Sequence, residues 1–202
     1  MNAFDCWAAS YDSGANPMTI LSTRVVRDLL GSTQHARLLD AGCGTGRWGG
    51  VGVDSSFEML RRCKGPVVQG DLHALPIASG WAQVTICTLA LTYAAGRKQA
   101  WRELARVTEP GGRVIVADLH PQSQDWKRTF VADGVTREIP VEPYSEAEWL
   151  GDAGAAGLQL LHRVDARFGD AERPAFAAAG RLDRFEAAGR QLALLATVWI
   201  RP

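Results

Sequence analysis

The stretch LLDAGCGTGRWGGVGVDSS, residues 38–56, constrains the fold more than any other part of the chain. A short apolar run ends in Asp40 and opens into glycines at 42, 44 and 46, and a second apolar run ends in Asp54. Continuous apolar runs of this length mark strands buried on both faces of a parallel sheet. Only residues 47–50, RWGG, separate the glycine turn from the second run, whereas adjacent parallel strands need a crossover of about a dozen residues or more, usually a helix. The spacing therefore predicts a parallel sheet whose first crossover has lost its helix. Four or five extended residues reach about 14–18 Å, barely the roughly 17 Å of a five-residue strand. Such a bare link leaves one sheet face without its cover.

With the runs at 37–41 and 51–53, further apolar runs at 66–69, 84–89 and 113–117 read as strands, with helical patterns between them. Residues 21–30 carry Leu21, Val25, Val26, Leu29 and Leu30 at helical spacing, with Gly31 where a C-terminal cap stands. Ser55 and Glu58 have the spacing of a capping box, and a second helix spans 98–107, followed by the turn EPGG at 109–112. Beyond Asp118, the Asp133-Gly134 pair reads as a hairpin turn, and Ser145 with Glu148 as another capping box. Two final strands, 158–168 and 192–200, flank an alanine-rich helical stretch. Alternation of strand and helix predicts an α/β, Rossmann-like sheet with helices on both faces. We expect a single domain over 1–202, with an N-terminal helical segment at 1–35 and a substrate-covering insertion at 121–150.

Composition narrows the partners. Lysine plus arginine equal aspartate plus glutamate at 22 each, so no overall field draws the chain to nucleic acid or an anionic membrane. The four cysteines form no C-x-x-C pair, no His/Cys cluster has zinc-ligand spacing, and no apolar run is long enough to span a bilayer. The expectation is a cytoplasmic protein, monomer or homodimer, with a small-molecule substrate and no metal.

Chemistry concentrates at the strand ends. Glycines at 42, 44 and 46 let the backbone turn sharply and approach a ligand, and ligands of open α/β sheets bind outside the carboxyl ends of the strands. A dinucleotide fingerprint would want its third glycine at 47, where Arg47 stands, so a nicotinamide enzyme is the less favoured reading. Asp54 at the second strand's tip suits two ribose hydroxyls, and Asp71 at the third suits an adenine amino group, which together outline a nucleoside pocket.

Taken in order, LLDAGCGTGR, GVDSSFEML, VQGDLHALPIASGWAQVTICTLAL and RELARVTEPGGRVIVADLHP resemble the motifs of class I S-adenosylmethionine-dependent methyltransferases, near the small-molecule group that includes quinone-biosynthesis enzymes. The resemblance runs from about Phe4 to Arg201 and implies a seven-stranded sheet with an antiparallel last strand. It implies S-adenosylmethionine as cofactor, with Asp40, Gly42 and Gly44 at its methionine end, and Asp54 with neighbouring Ser55 at the ribose. Asp71 and Leu72 would meet the adenine, Leu89 the sulfonium region, and Tyr11 would close the pocket. Methyl transfer from a sulfonium relies mainly on alignment in a water-poor site; where the acceptor is a phenol or hydroxyl, His120 is the candidate base. The short crossover keeps a second reading open, a methyltransferase-like protein with weakened or lost activity that serves as a scaffold or partner.

Overall fold

A computed structural model describes residues 3–14, 16–31, 36–123, 128–132 and 134–202. Helices α1 (Ala3–Trp7) and α2 (Pro17–Leu30) precede strands β1 (Leu38–Ala41) and β2 (Val51–Asp54). Then come α3 (Phe57–Leu60), β3 (Val67–Gln69), β4 (Ala82–Thr88), α4 (Arg97–Val107) and β5 (Thr108–Leu119). A hairpin of β6 (Arg128–Ala132) and β7 (Val135–Ile139) is followed by α5 (Glu146–Ala155), β8 (Gln159–Ala166), α6 (Arg173–Ala178), α7 (Phe185–Gly189) and β9 (Leu194–Ile200). Seven strands form one sheet in the order β3-β2-β1-β4-β5-β9-β8. The first five pair in parallel, and β9 runs antiparallel to β5 and β8. This is the Rossmann-like sheet that the sequence predicts. Among the described residues no helix is long and apolar enough to cross a membrane.

The first crossover has no helix. β1 and β2 pair in parallel, Leu39 opposite Val51, and residues 42–50 carry the chain back with turns and bends alone. The return is tight enough that a Cβ on Gly50, at φ +70°, would fall 2.3 Å from the Leu38 carbonyl oxygen, so glycine is required there. Helix α2 and Trp48 cover the face instead. Leu21, Val25 and Val26 of α2 pack into one cluster with Leu38, Val84, Ile86 and Ile115, and Trp48 lies against the same cluster. Cover runs out at the sheet edge, where Val67 and Val68 of β3 remain 37% and 41% exposed.

On the opposite face, α4 and α5 bring Trp101 and Trp149 into edge contact, ring centroids 5.2 Å apart, with Trp199 of β9 5.7 Å from Trp101. All three are fully buried or nearly so. The Ser145–Glu148 capping box starts α5 as the spacing predicts.

Local expectations give way in three places. Ser56, not Ser55, caps α3, its hydroxyl accepting from Met59 N–H, because the Asp54 carboxylate holds the Ser56 backbone N–H at the end of β2. The EPGG segment lies inside β5; pairing with β4 skips from Ala82–Thr108 to Val84–Arg113, and Gly111 at φ +79° absorbs the irregularity. The alanine-rich stretch is two short helices, α6 and α7. The hairpin forms with Gly134 at φ +73°, while Asp133 of the expected turn lies outside the described residues. Its Phe130, Ala132 and Ile139 pack with Phe4 and Trp7 of α1 and with Tyr93.

Candidate functional site

A cavity of about 180 Å³ opens at the carboxyl ends of β1 to β4. Its floor is the glycine turn, folded back on β2: the N–H groups of Gly42 and Cys43 both donate to the Val53 carbonyl, at 2.7 and 3.0 Å. Asp54 then locks the turn, one carboxylate oxygen accepting from Gly44 N–H and the other from Ser56 N–H, each at 2.8 Å. Burial raises the Asp54 pKa, and these backbone donors, Ser56 and then Gly44, pull it back. Ser56 in turn donates its hydroxyl to Asp5 of α1 at 2.6 Å, which ties the N-terminal helix to the rim.

Asp71 stands on the loop after β3, mostly exposed. One of its oxygens accepts from the His73 backbone at 2.8 Å and lies 2.5 Å from the His73 ring nitrogen Nδ1. The His73 backbone N–H is the main reason that its pKa lies below the ordinary carboxylate value. Leu89, just past β4, has φ +52°, the one positive value at a non-glycine residue among those described. A leucine in that region is strained, and here the strain turns the chain into the cavity wall.

Of the residues expected to bind cofactor, Tyr11, Gly42, Gly44, Asp54, Ser55, Asp71, Leu72 and Leu89 all line this one cavity. Asp40 lies beneath it, 1% exposed. Burial pushes its pKa up to about 7, which the Trp48 backbone N–H and the Arg47 charge only partly offset. Neither Asp40 oxygen has a well-aligned hydrogen-bond partner among the described residues. His120 stands outside the cavity, its ring buried with Nε2 3.1 Å from Asp165 and Nδ1 accepting from Gln122 N–H at 3.2 Å. Sequence reasoning assigned no role to Arg47, Phe4, Met59 or Thr88, which also form the wall. Nothing in their spacing marks them, since a wall residue is chosen by where the loop points.

The residues present suit S-adenosylmethionine. A Cβ on Gly42 would stand 2.6 Å from that of Ala90, so glycine is needed to close the turn, while a Cβ on Gly44 would meet only open space on the cavity side. The buried carboxyl of Asp40, with no well-aligned hydrogen bond among the described residues, sits below the place where the amino acid end would lie.

Comparison with known proteins agrees with this geometry. A family model described as a methyltransferase domain matches residues 39–116. The malonyl-[acyl-carrier protein] O-methyltransferase of Pseudescherichia vulneris is 34% identical over 179 positions, covering 78% of this chain and 71% of that protein. The demethylmenaquinone methyltransferase of Renibacterium salmoninarum is 30% identical over 156 positions, covering 68% and 65%. Since 78% of 202 residues is fewer than 179, about 20 positions of the first alignment have no residue of this chain opposite them, a shortfall large enough to hold a crossover helix. Among solved structures, the methyltransferase in complex with the Trm112 methyltransferase activator of Haloferax volcanii matches with TM-score 0.76 at 20% identity, covering 98% and 96%. The [4+2]-cyclase SpnF matches with TM-score 0.67 at 18% identity, covering 91% and 81%; both likenesses concern the fold. A relative at 34% identity over most of its length, a sheet of seven strands in this order and a glycine turn locked by a strand-end carboxylate lead to one family, and the chain belongs to the class I S-adenosylmethionine-dependent methyltransferases.

Proposed function

We propose that this chain moves the methyl group of S-adenosylmethionine to a small acceptor that arrives at the site already ionised. One observation carries the reading: the apolar part of the cavity wall is made of Phe4, Leu89, Ala90, Tyr93 and Ala94, and the one imidazole among the described lining residues, His73, is engaged by Asp71, its Nδ1 2.5 Å from the carboxylate. Burial, with the charge of Asp118 behind it, raises the Tyr93 phenol well above its ordinary value, so it stays protonated. A carboxylate needs no base, and a malonyl group, named in the first relative, carries one.

When bound, the cofactor supplies an activated methyl group on a sulfonium. The chain's part is to bind, align and keep water out. Gly42 and Gly44 give backbone access, Asp54 and Asp71 face the nucleoside, and Leu89 with Tyr93 forms the apolar wall beside the transfer. His120, held by Asp165, supports packing at the end of β5 in this reading.

The test is release of S-adenosylhomocysteine with a panel of acceptors: malonyl and other dicarboxylic thioesters, phenols and amines. The reading predicts turnover with a carboxylate and a rate that stays flat from pH 6 to 9, because the acceptor is ionised throughout. Turnover with a phenol alone, rising with pH and reduced by His120→Ala, would replace it with a base-assisted reaction.

A further inference from the structure

The loss of the crossover helix removes a specific chemical feature. The N-terminus of a helix offers unpaired N–H groups and a partial positive charge to an anion, and in this chain residues 42–50 contain no helix. An amino acid ligand lying over Gly42 and Gly44 would bring a carboxylate to that place, and something else must meet it.

Arg47 stands there. It belongs to the shortened link itself, is half-buried, and lines the cavity. Its position is fixed from three sides. One guanidinium nitrogen donates to the Ser22 hydroxyl of α2 at 3.0 Å, the Tyr11 phenol hydrogen-bonds to the same group, and the guanidinium carbon lies 5.8 Å from the Trp48 ring centroid. A guanidinium has five N–H donors, so these contacts leave donors unspent. Among the described residues no carboxylate lies within the 4.0 Å of an ion pair with Arg47, although Asp40 is near enough to feel its charge. A half-buried, anchored cation without an anion, on the wall of a cavity, is a carboxylate site by its chemistry.

We propose that Arg47 binds the α-carboxylate of the cofactor, taking over the role of the missing helix N-terminus. The inference rests on the cofactor reading above and adds to it a residue that sets preference for a carboxylate-bearing ligand. It also accounts for the anchoring: Ser22 and Tyr11 hold a long, flexible side chain in one position, which lowers the entropy lost when an anion binds.

The experiment is a calorimetric cycle of two proteins and two ligands. S-Adenosylhomocysteine is compared with S-adenosyl-3-thiopropylamine, which keeps the amine and lacks only the carboxylate, on the full chain and on Arg47→Met. The full chain should prefer the carboxylate ligand. Arg47→Met should lose about 30-fold in affinity for S-adenosylhomocysteine and stay within about twofold for the amine. Equal losses for both ligands would make Arg47 a structural residue holding α2, and an unchanged affinity for S-adenosylhomocysteine would place the carboxylate elsewhere; either result overturns the proposal. Absence of binding of either ligand to the full chain would overturn the cofactor reading as well. Where Arg47→Met does not fold, Arg47→Lys gives the same comparison, with the preference for the carboxylate ligand reduced and the amine unaffected; an undiminished preference would count against the assignment.

Discussion

At the residue scale, Asp54 joins fold and site. Its two oxygens hold the N–H groups of Gly44 and Ser56, so the same side chain that would face a ribose also shapes the turn beneath it. Asp54→Asn puts an amide donor against one of those N–H groups. We predict a loss of about 2 kcal/mol in urea unfolding together with weaker S-adenosylhomocysteine binding. Asp40 has a different signature. Burial keeps its carboxyl protonated up to about pH 7 in the folded chain, whereas an unfolded aspartate ionises at about pH 4. The folded state binds more protons between those values, so Asp40's contribution to stability falls as pH rises from 4 to 7. Asp40→Asn should flatten that fall, leaving the parts due to Asp118, whose pKa burial raises to about 6, and to Asp54, which burial also raises. Unfolding free energies of both proteins across this range test it, and identical slopes would contradict it.

At the element scale, the link between β1 and β2 replaces a helix with two side chains. Trp48 lies against the apolar cluster under α2 and donates its indole N–H to Thr88 at 3.0 Å; Arg47 reaches Ser22. Trp48→Ala should cost about 2–3 kcal/mol, less than a fully buried tryptophan because the ring is partly exposed. It should also loosen the glycine turn, seen as faster amide exchange at Gly42 and Gly44. Without a helix to stiffen that turn, cofactor binding should be weaker than about 1 μM, and tighter binding by this chain would show that the link needs no such support.

At the scale of the whole molecule, the sheet was legible because buried parallel strands are written as continuous apolar runs, and the lack of a crossover helix because a link of nine residues, 42–50, has no room for one. Legibility failed where a tertiary contact chose between equal local options. Ser55 and Ser56 are both good caps, and the Asp54 carboxylate decided between them. EPGG has the residues of a tight turn, yet pairing with β4 and the tie between Gly111 N–H and the Arg201 carbonyl at 2.7 Å drew it into β5. In the cavity, the glycines and strand-end acids could be anticipated because the strand order fixes where strand ends meet. Arg47 could not, nor could the strain at Leu89, since side-chain direction and a positive φ at leucine arise only once the chain is folded.

This sheet is a cofactor-binding sheet of S-adenosylmethionine-dependent methyltransferases although its first crossover has no helix. Titration of the 202-residue chain with S-adenosylhomocysteine in a calorimeter tests it most directly. Saturable binding at one site is expected, weakened at least tenfold by Gly42→Val, whose side chain would collide with Ala90, while that variant remains folded by circular dichroism. A folded chain that takes up no heat of binding at any ligand concentration, or that binds equally well with Gly42→Val, would contradict it.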